Sequence, residues 1–301
     1  MKRLKKKLAW LLSFMMALSL AAGCAKEKDE VLVGVSDEAH MQIIGWMFRE
    51  LAARKGIECQ IRQTGSGTTS IQPALESNSL QVGIEFTESA WRNVLQHKEV
   101  YHAGDLGTLQ REYKKLGLSW YNLPQVKDHY TLVISQRLAL KENIETLSDL
   151  LAIDDQLTIG APTIFFEDFT GYPYLQAEYG FDFKTTVNLP ENGLVESIFE
   201  RKVDVIPAHS LDGYVNKAEL VLLEDDLEAR EDTTAGIIIT KEALKAHPEL
   251  AEVAQAIGKV LTGSQLAIMA SGVVSELFTP QEAALMLLKA KDFIVEKPMS
   301  K

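Results

Sequence analysis

Cysteine is nearly absent from this chain, with two in 301 residues, which excludes a disulfide-rich scaffold. Positive charge is scarce as well. There are 31 Lys and Arg against 42 Asp and Glu, a formal net charge of −11, and a surface of that sign repels phosphates, so nucleic acid is not an expected partner. Only one long apolar run occurs, which excludes a polytopic membrane protein. The six histidines show no HExxH and no paired metal spacing. The closest pair, His97 and His102, is five residues apart, on different faces of any helix. GSGTT lacks the Gly-Lys-Ser/Thr of a phosphate loop, and no G-x-S-x-G elbow exists. No enzyme activity, metal or cofactor is therefore expected. Low-complexity segments and fixed-period repeats are also missing. What is present is a 46% hydrophobic composition, too apolar for disorder, in a chain long enough for two domain cores.

The start of the chain has a composition of its own. MKRLKKK is basic, and the apolar run 8–22, LAWLLSFMMALSLAA, is shorter than the ~20 residues of a membrane-spanning helix. Small residues and Cys24 follow. This is the pattern of a secretory signal peptide over residues 1–23. LAAGC resembles the lipobox of bacterial lipoproteins, with Ala21 where Leu is commoner, and that resemblance implies acylation of Cys24. Residues 24–30 are then the lipidated cysteine and a charged tether, holding the protein at the extracytoplasmic face of a membrane. The basic leader makes the remainder more acidic than the whole chain. The second cysteine, Cys59, alternates with polar residues in a half-buried strand pattern and is expected to be an inert core thiol.

Along the mature chain, strand-like and helix-like segments alternate. VLVGV, GIECQIRQ, LQVGIEF, LTIGAP, VDVIPA, LVLLED and TAGIIIT read as strands. The stretch 130–139 reads as a strand running into a short helix. HMQIIGWMFRELAARKG has one apolar helical face, stopped by Gly56, and its Met41 and Trp46 are assigned to the core. TESAWRNVLQH reads as a helix capped by Thr87. The βαβ order predicts parallel sheets covered by helices.

Several strings, in order, resemble the substrate-binding proteins of osmoprotectant ABC importers, which bind glycine betaine, carnitine or choline: VGVSDEAHMQIIGWM, GSGTTSIQPALES, GIEFTESAWRNVL, KDHYTLVIS, LTIGAP, GYPYLQAEYGF and KVDVIPAHSLDG. The resemblance covers nearly all of residues 31–295. It implies an α/β, two-lobe periplasmic-binding-protein-like fold, with two crossover strands and a ligand cleft between the lobes. The crossovers would lie near 130–135 and 235–240, lobe one at 31–128 plus 236–301, and lobe two at 129–235. It also implies a monomer that delivers a small-molecule ligand to an ABC permease and its ATPase.

In that family, four tyrosines usually cage the ligand's trimethylammonium group. A quaternary ammonium has no N–H to donate, so π faces and carboxylates must hold it. By motif position, the cage falls here on Phe86, Tyr130, His209 and Thr233 or Thr234, a partial cage that Trp91, Tyr172 or Trp46 would have to complete. Asp128 and Glu85 keep the acidic side. The Lys, Arg and Thr commonly used for a betaine carboxylate fall on Ser36, Asp168 and Ser89, so the two cations are lost. Gly67 and Thr68 keep a helix-start site for a polar group. Each of these residues also has a plain structural reading: Tyr130 packs between lobes, Phe86 in a core, Asp128 caps a turn, and His209 rests in a loop. The pattern implies a quaternary-ammonium or another polar or cationic solute, with a choline-like ligand favoured over betaine. The alternative is a sensor or interaction lipoprotein with the same fold and a diverged cleft.

Overall fold

A computed structural model describes residues 30–65, 68–228, 233–291 and 293. The leader, Cys24 and Gly67 lie outside the described residues, and so does the side chain of Thr68. Ten strands form two five-stranded sheets. They are β1 (Val31–Val35), β2 (Cys59–Gln63), β3 (Val82–Phe86), β4 (Leu118–Asp128), β5 (Tyr130–Ser135), β6 (Thr158–Ala161), β7 (Thr185–Asn188), β8 (Val205–His209), β9 (Leu220–Leu222) and β10 (Thr233–Thr240). The first sheet is ordered β2-β1-β3-β10-β4 and the second β7-β6-β8-β5-β9. Each sheet with its helices is one lobe of a two-lobe binding-protein-like fold.

The strands are apolar because both faces of each sheet are covered. In β10, Ile237 and Ile239 enter one core cluster and Ile238 the other. In β5, Leu132 and Ile134 face one side and Val133 the other. The helix Ala39–Arg54 buries Ile43, Ile44, Met47, Phe48 and Leu51, the i, i+3, i+4 stripe of a covering helix. Gly56, at φ +80°, ends its last turn. The helices Glu249–Val260, Gly263–Val274 and Pro280–Ala290 pack into the same cluster as β1 and β3. Cys59 is buried there too, and burial pushes its thiol up to about 12, the inert thiol expected. Met41 and Trp46 also pack on this core. Among the described residues no single helix is long and apolar enough to cross a membrane.

The expectation of parallel sheets needs correction. β1 pairs parallel with β2 and β3, and β6 with β7 and β8, but β10 runs antiparallel to β3 and β4, and β5 antiparallel to β8 and β9. The reason is where the chain changes sheets. β5 follows β4 across the single residue His129, and its first residue, Tyr130, pairs with His209 at the end of β8. Ala235, near the start of β10, pairs with Phe86 at the end of β3. Both strands enter at the carboxyl ends of the parallel strands, where ligand crevices of α/β sheets lie, and can only run back.

Two edge strands, β4 and β7, escaped the periodicity reading. β4 contains Pro124, tolerated because β4 is at an edge and its register jumps between the Lys127 and Leu123 pairings. The helix at 87 also differs from expectation. Phe86 is its N-cap and Thr87 its first residue, and Ala90–Val94 continues as a π-helix. The Thr87 hydroxyl instead accepts from Thr234 N at 3.0 Å and meets the Thr233 hydroxyl at 2.9 Å, fixing the start of β10.

Candidate functional site

The carboxyl ends of the strands face a cleft of about 940 Å³, within the range of small-molecule sites. From β1 and the helix after it come Ser36, Glu38, His40 and Met41. From β3 and the turn after it come Glu85, Phe86, Glu88, Ser89 and Arg92. Tyr130, His209 and Asp212 face them from the second lobe, with Tyr174 and Glu178 on the helix Tyr172–Glu178.

Two aromatic pairs stand in this cleft. In lobe one, His40 meets the Phe86 ring edge-on at 5.8 Å. In lobe two, Tyr130 and His209 lie 4.4 Å apart, tilted by 36°, and Phe165 packs edge-on behind Tyr130. Burial lowers the pKa of His40, against the opposing pull of Asp128, Asp212 and Glu38, so it offers a neutral ring.

The carboxylates are not equivalent. Asp128, 5% exposed at its side chain, accepts from His209 Nδ1–H at 2.7 Å, from the Ser210 hydroxyl at 2.9 Å and from Leu211 N at 3.2 Å. Burial pushes its carboxyl up, but the neighbouring imidazoles and the hydrogen bonds from His209 and Ser210 outweigh burial and hold it below the usual range. Glu85 is different: burial dominates and raises it to about 8, with Phe86 N and the Ser89 hydroxyl as its hydrogen-bond donors. Among the described residues, the Oγ of Ser36 and the Oε2 of Glu38 are buried without a hydrogen-bond partner.

Of the residues expected at the site, Ser36, Phe86, Ser89, Asp128, Tyr130, His209 and Thr233 line the cleft together. Thr233 is committed to Thr87 and to Glu88 N. Thr234 donates instead to Asn122. Two expectations change. Asp128 is not a free counter-ion for a ligand, because both its oxygens serve the loop after β8. Asp168 is not among the cleft-lining residues; it holds the guanidinium of Arg92, which is, in two contacts of 3.1 and 3.3 Å. Trp91 and Tyr172 do not complete the cage. Trp91 stacks on His97 at 3.6 Å and donates to Glu99 O, and Tyr172 is buried in the second lobe's core. Other rings that line the cleft, among them His40, Tyr101 and Tyr174, were missed because a helix start or a loop turned toward a cleft leaves no period in the sequence. Among the described residues no group of three or more His, Cys, Asp or Glu is placed to hold a metal.

Known proteins resemble this chain in sequence and fold. The chain is 29% identical over 235 residues to an ergothioneine transport permease/ergothioneine binding protein of Helicobacter pylori; the match covers 77% of this chain and 42% of that longer relative. It is 23% identical over 242 residues to a carnitine transport binding protein of Listeria monocytogenes, covering 79% of each. A glycine-betaine-binding protein of Pseudomonas aeruginosa is 24% identical over 284 residues, covering 89% of this chain and 90% of its own. Among solved structures, that of a glycine betaine/carnitine/choline ABC transporter component superposes with a TM-score of 0.77 at 22% identity, over 87% of this chain and 99% of the other. Residues 29–290 match the family described as the substrate-binding domain of ABC-type glycine betaine transport systems, and this chain belongs to that family of osmoprotectant-binding transport components, which are not enzymes.

Proposed function

We propose that this protein is an extracytoplasmic lipoprotein, acylated at Cys24, that captures a small quaternary-ammonium or other cationic solute between its lobes. It then hands that solute to an ABC permease driven by its ATPase. A choline-like cation is favoured over a betaine. The carrying observation is the charge of the lining. Among the described residues, eight Asp and Glu line the cleft (Glu38, Glu85, Glu88, Asp128, Glu178, Glu191, Asp212 and Glu228), with Arg92 the sole Lys or Arg. With Glu85 protonated, Asp128 committed to His209 and Arg92 committed to Asp168, the balance stays negative. That favours a net cation over a zwitterion. Phe86 and His40 on one wall, and Tyr130 and His209 on the other, are the π faces for a group with no N–H. A ligand gripped by both walls draws the lobes together.

A second reading, an ergothioneine-like betaine, is favoured by the Helicobacter relative and by the presence of Arg92 at the cleft. Titration calorimetry on the lipid-free protein from Ala25 separates the two. Choline is expected to bind more tightly than glycine betaine, carnitine or ergothioneine. Tyr130→Ala or Phe86→Ala is expected to weaken it about tenfold or more. Tightest binding of ergothioneine favours the second reading, and unchanged choline affinity in both variants removes the aromatic pairs from the site.

A further inference from the structure

One charged contact in the cleft joins the two lobes at its lip. Arg92 comes from the π-helical turn after β3, and Asp168 from the turn that follows the helix Thr163–Glu167. The guanidinium reaches both Asp168 oxygens, Oδ2 at 3.1 Å and Oδ1 at 3.3 Å. It also donates to the Thr170 hydroxyl at 3.3 Å and lies over the Phe169 ring at 4.4 Å. Asp168 is itself held: Thr170 donates to its Oδ1 from the backbone N at 2.8 Å and from the hydroxyl at 2.7 Å. Burial would raise the Asp168 carboxyl, but the bonds from Arg92 and Thr170 prevail and bring it down to about 2. The turn is pinned behind by Gly171, where a Cβ would fall 2.0 Å from Phe165 O. Three consecutive residues of one lobe therefore surround a guanidinium of the other.

We infer that Arg92 and Asp168 form an interlobe clasp that determines the charge selectivity of the cleft: Asp168 supplies from the protein the carboxylate that a zwitterionic ligand would bring to Arg92. The inference rests on the ligand reading above. A planar guanidinium offers a carboxylate two bidentate edges; Asp168 occupies the Nη1/Nη2 edge of Arg92, and Glu88 Oε1 stands 3.9 Å from Nε on the other. A ligand carboxylate must displace Asp168 from one edge or enter against Glu88 at the other, in either case beside an already acidic lining. A ligand without a carboxylate meets no such competitor, and the clasp closes the lip over it.

Calorimetric titrations of choline and glycine betaine against four proteins test this: wild type, Asp168→Asn, Arg92→Ala and the double variant. Asp168→Asn keeps the side-chain shape and frees the guanidinium. It is expected to raise the betaine-to-choline affinity ratio about tenfold, and this gain is expected to vanish in the double variant. A ratio unmoved by Asp168→Asn, or a gain that persists without Arg92, overturns the inference. If the wild type binds neither compound, it is the ligand reading that fails. The clasp is then judged from the ligand-free protein by small-angle scattering, where Asp168→Asn is expected to enlarge the radius of gyration and an unchanged radius overturns it.

Discussion

Among the described residues, two carboxylates join the lobes, Asp128 at the back of the cleft and Asp168 at its lip, and their contacts are built differently. At the back, Asp128 ends β4, and its 5%-exposed side chain is surrounded by groups of the loop after β8. That loop is packed as well as bonded. Leu211 is buried among the first lobe's side chains, and Gly213 lies so close to the helix Gly263–Val274 that a Cβ would fall 2.6 Å from Ala270 O. At the lip, Arg92 and Asp168 keep 23% and 27% of their side-chain exposure. The back contact buries its carboxylate under apolar packing and leaves only the His209 ring, 49% exposed at its side chain, open to the cleft. The lip contact has water beside it as a ready replacement. A hydrogen-bonded carboxylate is thus structural in one place and exchangeable in the other.

The largest expected effect breaks the back contact. Asp128→Ala leaves Ser210 and Leu211 N without their acceptor, and should cost roughly 3 kcal/mol of stability in urea denaturation. Asp128→Asn, which retains an acceptor, should cost less. If Asp128→Ala costs no more than Arg92→Ala, the distinction between the two contacts is lost.

Glu85 sharpens the comparison, because it is a buried acid with no cation beside it. Its folded pKa, raised to about 8 from 4.5, means the folded state holds a proton that the unfolded state has released between those values. Stability should therefore fall as pH rises through that window and level off above it. Glu85→Gln should flatten the fall, measured as denaturation midpoints from pH 4.5 to 8.5. Asp128 has the opposite sign. Its lowered pKa contributes stability above the ordinary carboxylate range, and that contribution is lost as pH drops below it. Below about pH 4, wild type should therefore lose stability that Asp128→Ala has already lost.

The smallest effect belongs to the lip. Arg92→Ala should change stability by less than about 1 kcal/mol. The difference should shrink further in 1 M salt, where the screening length is about 3 Å. A large or salt-insensitive loss would make the lip contact structural, like the back one.

Much of the fold is readable from residue order. Alternating apolar strands and one-faced helices say which residues are buried, and Ile237 to Ile239 in β10 are apolar on both sides because both sheet faces are covered. Strand direction is not readable in the same way. β5 and β10 look like their parallel neighbours, because burial on two faces does not depend on which way a strand runs. Pro124 hid β4, since only a bulged edge strand accepts it. At the cleft, Phe86 and Tyr130 were legible through the family resemblance of the strings that carry them. His40, Tyr101 and Tyr174 were not, because reaching a cleft from a loop or a helix end leaves no period.

The sequence by itself carried a basic and apolar leader before Cys24 and an acidic α/β body of alternating strands and helices, and its family resemblance marked candidate ligand positions such as Phe86 and Tyr130. Only the tertiary structure decided who pairs with whom. Asp128 turns to His209 and Ser210, more than eighty residues away, and Arg92 finds Asp168 seventy-six residues on. The physical reason is that burial follows from the residue's own chemistry and repeats along the chain. The partner of a charge is set by how two separately folded sheets meet, and that distance is not written in the local spacing of residues.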